Sequence, residues 1–242
     1  MTNDDQSING DIGRRVVVDT GQMPWSTGFR AGVEQKVLHR VGPVETAQLT
    51  AIVRYEPGTR LPRQDTLEGE ETLVLEGTLS NKQGDWPAGS YLLNPAGFHH
   101  SSWTEQGCTL FVKLRQYPGS GRDQIAVQSR DLPWQLSVRR NAQWKKLYAQ
   151  EPYTDFMRLE AWDTPAELGQ LNFPRGVELL VIKGGFADAL GQYDTHSWLR
   201  IPAGGSLAPS SDGYCELYIK EGGFTYLQQA PEAELPPRAA GA

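Results

Sequence analysis

Two side chains in the first half of this 242-residue chain, Glu70 and His100, have the chemistry of a reactive or ligating pair. A carboxylate kept from water holds its proton more tightly, and an imidazole near it can take or give that proton, so the pair suits acid and base work. With the side-chain carbonyl of Gln64 the same residues would fill three positions of a zinc-like or iron-like coordination sphere, water taking the others. The surrounding spacing is regular. Gly58 is followed by five residues, Gln64-Asp65-Thr66, three residues, Glu70, six residues and Gly77; a second block runs Gly89, five residues, Pro95-Ala96-Gly97, two residues and His100. Residues two apart on a strand face the same side, which joins Gln64 to Thr66 and His100 to Ser102. The candidate pocket is Gln64, Thr66, Glu70, His100 and Ser102. The chain has four histidines, His39, His99, His100 and His196, so a further imidazole would require His39 or His99 to turn inward.

The elements that must position these residues are strands. Runs such as VVVDT, KVLHR, AQLTAIVRY, TLVLEGTL, SYLLN and TLFVKLRQ are short, rich in branched and aromatic residues, and separated by Gly, Pro, Asn or Ser. They also recur. Residues 71–113 reappear as 178–220 at a constant shift of 107, so that GEETLVLEGTL meets GVELLVIKGGF, GSYLLNPAG meets HSWLRIPAG and CTLFVKL meets CELYIKE. Upstream, VVVDTGQMPW meets IAVQSRDLPW at a shift of 109. A period of this length indicates two domains rather than a solenoid. The expected fold is all-β, a tandem of jelly-roll barrels, with one module at 14–122, a second at 123–229 and a mobile tail at 230–242. The turn-rich PGSGR, Pro118 to Arg122, marks the passage between them.

The duplication strips the second copy of chemistry. The shift of 107 sets Leu171 and Phe173 opposite Gln64 and Thr66, Val177 opposite Glu70, and Leu207 opposite His100. Four apolar side chains cannot ligate an ion, so the second interior should be dry. His196 aligns with Gly89 and reads as a surface turn residue. Glu71 recurs as Glu178, which points to a structural role such as pairing at a barrel rim. Cys108 and Cys215 hold equivalent places before strand-like runs and read as small buried apolar groups.

The two blocks have the spacings of the cupin signature motifs. PAGSYLLNPAG, GEETLVLEGT, EQGCTLFVKLRQ and the early MPW further resemble the ChrR-type cupins, known as the carboxy-terminal module of a zinc-dependent anti-sigma factor and as free-standing two-module proteins. The likeness spans roughly residues 14–228. It implies a bicupin whose first motif would supply His-x-His and Glu, and whose second would supply His, all converging on a divalent metal. Here Gln64 and Thr66 stand in the two histidine places, so the resemblance leaves Glu70 and His100, with Gln64, as the candidate metal ligands of a degenerate site. Zinc, iron, nickel or manganese would be held weakly if at all, although some cupin isomerases do use a glutamine ligand.

Three functional classes follow. A small-molecule-binding or regulatory bicupin comes first. A cupin enzyme using Glu70 and His100 comes second: a non-haem metal dioxygenase, as the resemblance to enzymes acting on aromatic ketones implies, or an isomerase, lyase or cyclase with or without metal. Anti-sigma regulation is disfavoured, because the partner surface belongs to a helical zinc-binding domain for which this chain has no helical segment and no cysteine pair at ligand spacing. A net charge of −6 argues against nucleic acid as a partner, and the basic cluster Arg139, Arg140, Lys145 and Lys146 reads as a solvated linker and strand edge. No run approaches the length of a membrane span, and the first residues lack the apolar core of a signal peptide, so cytoplasmic residence is the expectation. The half-polar pocket makes a small-molecule ligand the expected partner, with a homodimer as a further option.

Overall fold

The computed structural model describes residues 7–139, 141–163 and 165–228, and the side chains of all of these but Gln64, Asp65 and Glu167. The expected tail at 230–242 and Arg140 of the basic cluster lie outside them. Two ten-stranded antiparallel sheets curl into the two barrels of a bicupin. The first follows the spatial order 125–128, 90–94, 70–81, 108–114, 48–55, 33–41 and 26–27; the second follows 16–19, 197–201, 177–188, 215–221, 156–162, 142–149 and 135–136.

Each sheet contains a strand from the other repeat. Val16–Asp19 pairs with Ser197–Ile201, Val17 opposite Leu199, and Ile125–Gln128 pairs with Ser90–Asn94, Val127 opposite Tyr91. The sequence boundaries assign these strands to their own modules, whereas the sheets exchange them and so stitch the barrels together. The passage between copies is pinned as well: Arg122 donates to both carboxylate oxygens of Asp155 at 3.0 and 3.1 Å and lies 3.7 Å from the centre of the Tyr153 ring.

Strand alternation divides every side chain between two destinations. On Glu70–Asn81, Glu70 and Thr72 line the first barrel, while Glu71 and Leu73 turn toward the second. Leu73, Tyr91, Phe111 and Ile52 meet Leu180, Trp198, Tyr218 and Leu159, their equivalents at the shift of 107, in one core between the barrels. Charged residues sit within it almost fully buried, among them Glu71, Lys113, Glu178 and Lys220. Lys113 Nζ donates to Glu178 Oε2, Tyr117 donates to Glu71 Oε2, and Tyr218 donates to Glu71 Oε1 at 2.6 Å. Glu71 is thus a buried contact between barrels rather than a rim residue. Lys145 also departs from the solvated reading: it is buried, with its ammonium 2.7 Å from Ser129 O and 4.5 Å from the Trp134 ring centre.

The shared glycine landmark has a steric cause. Gly77 and Gly184 sit at φ 71° and 72°, and a Cβ there would run into the carbonyls of Gly107 and Tyr214. Glycine alone fits where the facing strand slips register. Cys108 and Cys215 are buried thiols, and burial pushes their pKa up to about 11 and about 12. No helix among the described residues is long and apolar enough to cross a membrane.

Candidate functional site

Glu70 opens a long strand, 70–81, and His100 lies in the strand 98–103. The two converge inside the first barrel with Glu70 Oε2 3.3 Å from His100 Nε2, and their side chains are 18% and 12% exposed. Thr72, one alternation step along from Glu70, donates its hydroxyl to Glu70 Oε1 at 3.3 Å. Burial by itself lowers the His100 pKa, but the hydrogen bond and negative charge of Glu70 outweigh it and hold the imidazole above its ordinary 6.5. The pair therefore retains a proton more readily than an isolated histidine does.

The enclosed space beside the pair measures about 30 Å³. Tyr55, Thr72 and Ser102 supply its remaining polar groups, and Val53, Leu61, Leu79, Leu110 and Val112 its walls, with Phe29 and Leu114 at the lip. A water needs roughly 10–15 Å³ of such volume, so about two waters fit, or the tip of a larger molecule. Burial and the neighbouring Glu70 charge raise the Tyr55 pKa, which keeps its phenol protonated and able to donate.

Of the residues expected from sequence, Glu70, His100 and Ser102 meet here. Thr66 does not line the cavity. Its hydroxyl lies 2.6 Å from Pro95 O and 3.0 Å from Phe98 O, where it ties two strands by their backbone. The backbone of Gln64 is in register opposite His100, while its side chain is outside those described. Tyr55 and Thr72 were missed. Alternation from Glu70 could have found Thr72, and the shift of 107 could have found Tyr55, since it aligns with a tryptophan, Trp162. His99 is exposed, and His196 occupies a turn at φ 73°. His39 belongs to the core between the barrels, fully buried, with Nδ1 3.0 Å from Asn9 O; burial, and then the Arg200 charge, lower its pKa to about 4 and keep it neutral.

A tightly held transition ion takes three or four protein donors. The cavity offers one carboxylate and one imidazole already in contact with each other, and among the described residues no group of three or more His, Cys, Asp or Glu could hold an ion. The described residues do not fit such a metal.

In the second barrel the equivalent space is filled. Leu171, Phe173, Val177 and Leu207 all belong to its buried core. Leu179 replaces Thr72, while Trp162 and Phe186 replace Tyr55 and Leu79 and pack edge to face, 5.3 Å between ring centres. The larger rings plug the volume that the first barrel leaves open.

Comparison with solved structures places about nine-tenths of the chain in one fold. A candidate dioxygenase from Nostoc punctiforme superposes with a TM-score of 0.74 at 17% identity, covering 91% of this chain and 88% of that one. The Escherichia coli pirin YhhW, solved with nickel(II), gives 0.65 at 13% identity over 86% of this chain and 99% of the other. The Bacillus subtilis oxalate decarboxylase OxdC, as a two-residue deletion mutant, gives 0.61 at 13% identity over 89% and 79%. At these identities the likeness establishes the fold. No curated protein matches the chain by sequence. The family model of the ChrR cupin-like domain matches residues 13–118, the repeat that contains Glu70 and His100. That first module belongs to the ChrR cupin-like family, and it is carried in a chain folded as a bicupin.

Proposed function

We propose that the first barrel is a small-molecule-binding site and that the second is its structural partner. One observation carries this reading: two modules descended from one repeat differ in that the first encloses a carboxylate–imidazole pair, where the second has Val177 and Leu207. The second module folds with apolar residues at both places, so the fold does not call for the pair, and a ligand gives it a use. A space of about 30 Å³ admits only a hydroxyl, carbonyl or similar tip, with Glu70, His100 and Tyr55 as its hydrogen-bond partners. Ligand capture of this kind suits a regulatory protein. Any divalent ion would be held weakly, by Glu70 and His100 with Gln64 in support.

A second reading is favoured by the raised His100 pKa. A pair that holds its proton more tightly than an ordinary histidine and opens to a bound tip can act as general acid and base, in metal-free isomerase, lyase or cyclase chemistry. Dioxygenase chemistry at an ion, suggested by the Nostoc protein's designation, calls for a donor set larger than the two described side chains.

Histidine-selective NMR tests the binding reading. Hydroxy, keto and carboxylic compounds are added to the whole protein while the imidazole signals of His100 and His196 are followed. Binding in the barrel moves His100 and leaves His196 in place. An unresponsive His100 across all three classes would remove the reading.

A further inference from the structure

Beyond the lip of the barrel lies a groove of about 420 Å³, within the size range of small-molecule sites. Phe29 and Leu114 line both this groove and the inner cavity, so the two spaces abut across those side chains. Val37 and Leu49 help to make the groove apolar, and its charged lining is three arginines, Arg30, Arg40 and Arg115, against one glutamate, Glu45.

Arg115 is placed by unusual means. Leu114 stands opposite Glu70 in the sheet, and the next residue, Arg115, donates its backbone N–H to Gly69 O at 2.8 Å, beside the Glu70–His100 pair. Its guanidinium is held by two backbone carbonyls, Ala47 O and Glu45 O, each at 2.8 Å, and among the described residues no carboxylate bonds to it. Its φ is 59°, in the left-handed region, whereas the residue 107 positions on is Gly222 at φ 78°. The first module thus accepts an arginine, at a cost in backbone strain, where its own repeat has glycine. Two of the five guanidinium donors fix its position, and the charge stays available to the groove. Arg30, unlike Arg115, makes no side-chain hydrogen bond or ion pair with a described residue.

We propose that this groove binds an organic carboxylate: Arg115 and Arg30 take the anion, the apolar floor takes the body, and the far end passes Phe29 and Leu114 to meet Glu70 and His100. The proposal rests on the first barrel being the ligand site, and it names the chemical class. Guanidinium forks match carboxylates, and Phe29, 47% exposed at the lip, offers a ring against which an apolar body packs.

The test uses phenylacetate and its neutral isostere phenylacetamide, titrated into the whole protein by calorimetry. Phenylacetate is expected to bind at least about tenfold more tightly than the amide, a difference of about 1.4 kcal/mol. Arg115→Gly, which supplies the residue that suits the backbone, should bring the acid level with the amide, and Arg30→Gln should weaken it by a smaller factor. Equal binding of acid and amide, indifference to both substitutions, or binding of neither probe overturns the proposal. A joint Glu70→Val, His100→Leu variant separates the two readings. If it binds 4-hydroxyphenylacetate, whose hydroxyl supplies the polar tip, as the unaltered protein does, the barrel reading fails and the groove stands; if His100 responds to neutral hydroxy compounds with no preference for acids, the groove fails and the barrel stands.

Discussion

Lys113 and Glu178 meet in the core between the barrels with side chains 0% and 2% exposed. Burial first, and then the charge of Lys220, push the Lys113 pKa well below its ordinary value, with Glu71 opposing, so the ammonium depends on its anionic partners. Removing one partner of a buried pair leaves an uncompensated charge and costs about 3–5 kcal/mol, whereas replacing both with apolar groups of similar size is often neutral or stabilising. Lys113→Met and Glu178→Leu should each destabilise the chain by about that amount, and at about 2–4 °C per kcal/mol for a chain of this size each should lower Tm by roughly 6–20 °C. The double variant should recover most of the loss, giving a coupling energy of about 2 kcal/mol or more in a double-mutant cycle read by urea unfolding. Single losses below about 1 kcal/mol that simply add would show that the pair is solvated and that the barrels do not pack through it.

Other expectations follow from the same geometry. His39 has a folded pKa of about 4 against an ordinary 6.5, so the unfolded chain binds the extra proton between those values; up to about 3 kcal/mol of stability, complete above pH 6.5, is lost as pH falls toward 4, and His39→Gln should flatten that slope in acid-melting curves. His100 runs the opposite way: its raised folded pKa contributes stability that is present below pH 6.5 and lost as pH rises through the folded value, and its imidazole should titrate above 6.5 by NMR, a position that Glu70→Gln should abolish. Protein purified without an affinity tag should carry far less than one equivalent of zinc, iron, nickel or manganese, and added zinc should raise Tm only at high concentration, through His100 and not His99. Stoichiometric metal in that preparation would contradict the two-donor reading.

The repeat and its strands were legible because period-two alternation and turn residues are local signals, and a register without gaps can only be kept by two copies of one fold. The partner of each strand was not. Val16–Asp19 reads as a strand in either sheet, and its exchange onto Ser197–Ile201 is decided by long-range pairing that leaves no mark on its own residues. Glu71 and Lys145 misled for a related reason, since charge suggests exposure until a partner far along the chain is known. At the site, the pair of Glu70 and His100 followed from motif spacing, and the second barrel's filling followed from four apolar replacements. Thr66 looked like a pocket residue by alternation, but a threonine hydroxyl bonds a nearby carbonyl as readily as a ligand, and here it bonds Pro95 and Phe98. Arg115 was invisible in sequence, because its position depends on a left-handed turn and on carbonyls of the 42–47 loop.

The central claim is that Glu70 and His100 are kept for a ligand and not for the fold. The second module shows what the fold accepts in their place, Val177 and Leu207. The direct measurement is therefore the unfolding free energy of the Glu70→Val, His100→Leu double variant beside that of the unaltered protein. The account predicts equal or greater stability, because apolar replacements remove a polar pair from a hydrocarbon-walled cavity. A cooperative loss of about 3 kcal/mol or more would contradict it, and would make the pair a structural element of the first barrel.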